Sequence, residues 1–328
     1  MSILRMIVIA VGYVAAFAAA FSAAFSANAQ YPDKPIRLIV PQAAGSNTDI
    51  VARALAVELV PQIGAQLVID NRPGAGLIIG LEITARSAPD GYTLCMSPIG
   101  ALVISPHMFA KLPYDIERDF QPVVQLTNNP LMLAVSTSLP VNSARDIIDY
   151  AKQNPGKLSF ASSTAGSPGH LAGELLKQLT GGQVEHIPYK GGAQAIADLI
   201  AGRVQIMFEG MNSMAPHVKG GKLRGIAVTS LKRVGAFPDI PTMAESGVPG
   251  FDISAWQGMV APAGLPRPLL DRINAAVNRA IAMPNFKTRM VELGSESSGG
   301  TPEEFTALIR RDSARWGEVI RKAGIKAD

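Results

Sequence analysis

Beyond residue 30, short aliphatic runs alternate with stretches of helical spacing. IRLIV (36–40) precedes a helical pattern over 48–60, QLVID (66–70) precedes one over 78–87, and YTLCM (92–96) closes that series. Further on, LMLAV (131–135), LSFAS (158–162), VEHIP (184–188), VQIMF (204–208) and LRGIAV (223–228) alternate with helical patterns over 143–153, 168–179 and 193–201. Strands buried on both faces read as continuous apolar runs, and helices of about ten residues serve as crossovers between them. The pattern therefore predicts an α/β protein built on mostly parallel sheets flanked by helices, with crossovers of right-handed sense.

Two segments interrupt the alternation. DFQPVVQLTNN (119–129) and GFDISAWQGMVAP (250–262) are extended, lack helical periodicity and fall where one set of βα units stops. They read as crossings between two discontinuous lobes, 30–125 plus 254–328 and 126–253. Helical patterns over 266–282, 284–293 and 302–323 belong to the first lobe. TPEEF (301–305) opens the last of them with Thr301 as N-cap, Pro302 in the first turn and two carboxylates at the positive end of the dipole.

The amino terminus has a different character. One basic residue, Arg5, precedes an apolar run from Met6 to Phe25, and Ala27-Asn28-Ala29 places small residues where a signal peptidase inspects the chain. The expectation is export with cleavage after Ala29, a periplasmic location and a monomer. The sole cysteine, Cys95, lies in a strand-like run, so neither an intrachain disulfide nor a lipid-bearing cysteine at the cleavage site is expected. A net charge of +4, without basic blocks or interleaved aromatics, argues against nucleic acid as a partner.

Ligands of open α/β sheets sit beyond the carboxyl ends of the strands, where helix N-termini present free N–H groups. The loops expected there are PQAAGSNT (41–48), DNRPGAG (70–76), SPIG (97–100), SSTAGSPGH (162–170), PYKGG (188–192) and EGMNS (209–213). Their small residues let backbone and hydroxyl groups close on an anion without a formal positive charge, which points to a carboxylate. Candidate ligand contacts are Gln42, Ala44, Gly45, Ser46, Asn47, Thr48 and Asp49 in the first loop, together with Ser97. The second set is Ser162, Ser163, Thr164, Ala165 and Gly166, with Glu209 and Asn212 from the last loop. Asp49 reads first as a helix cap, Ser167 as a cap before proline, and Glu209 either as an acceptor for a ligand N–H or hydroxyl or as a cap. Lys190 reads as a solvated lysine and Trp256 as hinge packing.

Catalytic signatures are weak. His107, His170, His186 and His217 lack metal-ligand spacing, no G-x-S-x-G elbow or P-loop occurs, and GAGLIIG (74–80) misses the dinucleotide fingerprint by one residue. No metal, cofactor or catalytic residue is expected. His170 is expected in a helix, away from the anion. A secreted enzyme using Glu209 or His170 as general base is the alternative, as is a receptor that presents its ligand to a signalling partner.

Stretches spread over nearly the whole chain, among them YPDKPIRLIVP, GSNTDIVAR, NRPGAG, SAPDGYTL, HIPYKGGAQAIADLIAGRVQIMF, FPDIPTMAESGVPGF and WQGMVAPAGLPRPLLDRIN, resemble the Bug-type solute-binding receptors of tripartite tricarboxylate transporters. The resemblance implies a two-lobed periplasmic binding protein fold of type II-like form. It also implies a cleft that closes on a small organic acid and delivery of that acid to a membrane permease. Ser46 stands where such receptors usually carry a second glycine, and Leu77-Ile78 where they carry Gly-Asn or similar. The added apolar bulk favours an aromatic or aliphatic carboxylate over citrate.

Overall fold

The aliphatic run 36–40 forms β1 (Ile36–Val40), and Ser46 starts the helix that follows: its hydroxyl accepts the Asp49 N–H at 3.3 Å and caps α1 (Asn47–Ile63). The chain continues through β2 (Leu67–Asn71), α2 (Ile78–Ala85) and β3 (Thr93–Pro98). A wide helical turn, Gly100–Ile104, then runs into a short helix, Ser105–Met108. This computed structural model describes residues 31–181 and 184–327. The leader and cleavage site expected over 1–29 lie outside the described residues.

β4 (Phe120–Asn128) passes to β5 (Leu131–Ser136) through Asn129 and Pro130. The second half of the alternation follows as α3 (Ala144–Gln153), β6 (Ser159–Ser162), α4 (Pro168–Thr180), β7 (Glu185–Pro188), α5 (Gly192–Ile200), β8 (Ile206–Gly210), α6 (Met211–Lys219) and β9 (Leu223–Val228). After residues 229–256 come β10 (Gln257–Pro262), α7 (Arg267–Ala282), α8 (Pro284–Glu292), β11 (Glu296–Ser297) and α9 (Pro302–Ala323). Thr301 caps α9 as expected, in a reciprocal pair with Glu304.

Two sheets result, in the orders β11-β4-β10-β3-β1-β2 and β7-β6-β8-β5-β9. They are mixed rather than mostly parallel. Only β1–β2, β1–β3, β6–β7 and β6–β8 pair in parallel; β10 is antiparallel to β3 and β4, β11 to β4, and β5 to β8 and β9. The cause lies in the two crossing segments. β4 leads into β5 and β9 into β10 without an intervening helix, and a strand delivered that way need not keep the direction that a helical crossover imposes.

The crossings lie side by side. Pro130 bridges Ser254, and the Ala255 N–H donates to the Asn129 carbonyl at 2.9 Å. Trp256 follows them as the packing residue expected there: it is 2% exposed, meets Phe305 edge-on, and donates its indole N–H to Asp312 at 2.7 Å. α9 packs on β4 and also reaches α4, where the Gln178 side chain meets the Val319 carbonyl.

Candidate functional site

Beyond the carboxyl ends of β1, β3, β6 and β8 lies a cavity of about 760 Å³ lined from both sheets, within the size range of small-molecule sites. Three helix N-termini open onto it: α1 through Asn47 and Thr48, α4 through Pro168 and Gly169, and α6 through Met211, Asn212 and Ser213. Each contributes a partial positive charge and orphan N–H groups. Glu209 and Lys326 are the only charged residues among the lining residues described.

Of the candidates, Gln42, Asn47, Thr48, Ser163, Thr164, Ala165, Gly166, Glu209 and Asn212 line the cavity. Ala44, Gly45, Ser46, Asp49, Ser97 and Ser162 do not. Asp49 is turned inward, 2% exposed, where its carboxylate accepts from the Gly45 N–H (2.9 Å), Arg53 Nε (2.9 Å) and Asn71 Nδ2 (3.0 Å). Burial alone would raise its pKa; these hydrogen bonds, led by that from Arg53, prevail and lower it. Its work is to shape the loop from within. Ser97 is fully buried in β3, as is Ser162 at the end of β6, where the Ser162 hydroxyl lies between the Thr164 carbonyl (3.1 Å) and His186 Nε2 (2.7 Å).

His170 is in α4 as expected, but its ring turns back to the loop: Nδ1 accepts the Gly166 N–H at 2.9 Å. That N–H is therefore engaged by the protein. The ring stacks on His186 with centroids 3.6 Å apart, and His186 stacks in turn on Phe160. Burial first, and the neighbouring His186 and Lys177 after it, push the His170 pKa down to about 3; burial and Lys177 push that of His186 down to about 4. Two neutral stacked rings thus hold the 162–167 loop from behind.

Most of the apolar lining and its floor escaped sequence reasoning. Leu77 forms part of the wall, as the departure at that position suggested, whereas Ile78 packs into the core. Ile104, Met108 and Phe109 come from the helical run after SPIG, and Leu131 and Leu293 from opposite sides. Asn129 and Gln257 form the floor beside the crossings, 8% and 3% exposed, and neither side-chain oxygen has a hydrogen-bond partner. Because both border the cavity, their side-chain oxygens are placed to accept a hydrogen bond from what the cavity holds.

Among the described residues no group of three or more His, Cys, Asp or Glu is placed to hold a metal, and no helix is long and apolar enough to cross a membrane.

Comparison with known proteins agrees with this fold. Protein BugT of Bordetella pertussis is 36% identical over 297 residues, which cover 90% of this chain and 91% of BugT. An R. palustris protein solved with adipate superposes with a TM-score of 0.77 at 35% identity, covering 90% of this chain and 99% of that one. The periplasmic binding protein BugD superposes at 0.73, with 35% identity over 91% of this chain and 100% of that one. Residues 51–325 match the family model described as the tripartite tricarboxylate transporter family receptor, and the chain belongs to that family.

Proposed function

We propose that this chain is a periplasmic receptor that captures one small carboxylate between two lobes, 30–125 plus 254–328 and 126–253, and hands it to the membrane subunits of a tripartite tricarboxylate-type transporter. Export would follow removal of 1–29, and the receptor would work as a monomer without cofactor. The observation that carries the reading is the convergence of three helix N-termini from both sheets on one cavity. Such termini bind anions through N–H groups and dipoles. The R. palustris relative solved with adipate supports a carboxylate as the ligand class. The apolar wall of Leu77, Ile104 and Phe109 favours an acid with an aliphatic or aromatic body.

Native mass spectrometry of protein isolated from the periplasm should reveal a retained small acid. With that acid in hand, calorimetry on Thr164→Val should show binding weakened by about 1 to 3 kcal/mol, because the hydroxyl is lost while the volume is kept. Unchanged affinity would remove Thr164 from the contact set. Conversion of the acid into a product by the same sample would instead make the chain an enzyme.

The floor amides give an independent check. Gln257→Met removes an oxygen that has no partner, so the melting temperature of the free protein should hold or rise by a few degrees, at roughly 2–4 °C per kcal/mol. Ligand affinity should fall about tenfold if the ligand engages that amide, a difference of about 1.4 kcal/mol. A lower melting temperature with unchanged affinity would assign Gln257 to the fold alone.

A further inference from the structure

The cavity has a second chemical character besides its helix N-termini. Glu209 leaves β8 at its carboxyl end and faces the space. Its Oε1 accepts the Gly210 N–H at 2.9 Å, while Oε2 lies on the side of Gly192 and Ser163. No lysine or arginine among the described residues comes within 4.0 Å of it. Three other inward-turned carboxylates have a cation, Asp49 with Arg53 at 2.9 Å, Asp70 with Arg72 at 2.8 Å and Glu174 with Lys177 at 3.2 Å, whereas Glu58, away from the cavity, accepts only from Asn285 among the described residues. Burial, only partly opposed by hydrogen bonds from Gly210 and Ser163, raises the Glu209 pKa, as befits a carboxylate without a compensating cation. The other charged lining residue, Lys326, is exposed near the carboxyl terminus and makes no ion pair with Glu209.

The floor extends this acceptor character. Asn129 and Gln257 offer side-chain amides whose oxygens are buried and without partners. An amide without internal partners can turn to present either its oxygen or its NH₂, so both adapt to what a ligand brings. Glu209 cannot: in its charged form it only accepts.

We infer that the cleft selects a monocarboxylate whose far end carries a nitrogen donor, an ammonium or a ring or amide N–H, seated against Glu209, and that Glu209 excludes acids with a second carboxylate there. The inference rests on the reading of the chain as a carboxylate receptor and narrows it. The ligand carboxylate meets the N-termini of α1 and α4, the apolar body lies along Leu77, Ile104 and Phe109, and the donor neutralises Glu209, whose own carboxylate already occupies the N-terminus of α6. A second carboxylate at that point would face a like charge in a site largely screened from water, which is strongly unfavourable.

Two matched trios separate these cases by calorimetry at pH 7. The aliphatic trio is 6-aminohexanoate, hexanoate and adipate; the aromatic trio is 4-(aminomethyl)benzoate, 4-methylbenzoate and terephthalate. Within each trio the body is kept and only the far end changes. In at least one trio the amine should bind tightest, by tenfold or more over the neutral acid, with the dicarboxylate weakest. Glu209→Gln should cut the advantage of the amine at least tenfold, strengthen the dicarboxylate, and leave the neutral acid within a factor of about three, since glutamine keeps the shape while removing the charge. If the Glu209→Gln variant does not fold, the ranking on the native chain still decides. A dicarboxylate or neutral acid that binds tightest in both trios, or a preference for the amine that survives in folded Glu209→Gln, overturns the inference and leaves the carboxylate reading standing. Failure of all six acids to bind at millimolar concentration overturns both.

Discussion

Between pH 6.5 and pH 4 the free protein is expected to lose roughly 3 kcal/mol of stability through His170, at about 1.4 kcal/mol per pH unit. The sign follows from the direction of the shifts. In the unfolded chain His170 and His186 take up protons near pH 6.5, whereas in the folded protein they stay neutral until about pH 3 and about pH 4. The unfolded state therefore binds more protons across that window, and stability falls as the pH falls. Above pH 6.5 the contribution is complete and flat. Glu209 and Asp252 act in the opposite sense, because raised carboxyl pKa values favour the folded state as pH falls. They offset part of the loss and cannot cause it. Asp49 and Asp146, whose pKa values are lowered, enter only below the ordinary carboxyl range.

Urea unfolding at intervals from pH 7.5 to 4.5 would measure this slope. His170→Gln should reduce it and leave the part due to His186, since the amide oxygen can still accept the Gly166 N–H but carries no titrating proton. A native chain whose stability is level across the window, or a variant with the native slope, would contradict the account. Protonation reaches the site only at lower pH. A protonated His170 has no acceptor for the Gly166 N–H, so in the folded protein the loop that carries Thr164 loses this support only near pH 3, below the window of the stability loss.

The sequence made legible what is local. The caps Ser167 and Thr301 were readable because each serves an N–H three residues ahead, and both make that bond; Ser46, read as a ligand contact, makes the same bond and is a cap. The βα alternation was readable because the burial of each strand shows as an apolar run. Strand direction was not, because β5 and β10 enter their sheets through crossings whose geometry no periodicity records. The same limit applies to the cleft. Thr164 sits on a loop, and Thr48 and Asn212 in first helical turns beside loops, whose small residues announce close approach, whereas Asn129 and Gln257 are brought to the cavity only by the crossings, which is a tertiary fact. His170 is an intermediate case. Its helix was evident, but its grip on Gly166 depends on a rotamer and on the ring of His186 behind it.

Gly169→Ala is expected to be among the most damaging single-methyl changes at the site, with a loss of stability of about 3 kcal/mol or more. Gly169 lies in the first turn of α4, and a Cβ there would run into the backbone carbonyl oxygen of Phe208 in β8, far inside normal contact. A backbone atom in the middle of a sheet cannot swing aside. The helix would have to lift from β8, taking with it the N-terminus that faces the cavity and the loop before it. Gly166 and Gly45 calibrate the claim. At Gly166 (φ +73°) an added Cβ meets only the end of the flexible Met108 side chain, and at Gly45 (φ +80°) it meets nothing within 4 Å. Alanine at Gly45 should therefore cost only the left-handed backbone penalty, about 1 to 2 kcal/mol, with Gly166 somewhat above it. Thermal unfolding should rank the losses Gly169, Gly166, Gly45, and calorimetry with the retained acid should find binding most impaired in Gly169→Ala. If Gly169→Ala melts like the native protein, α4 does not press on β8 as closely as this structure has it, and the positioning of its N-terminus needs another cause.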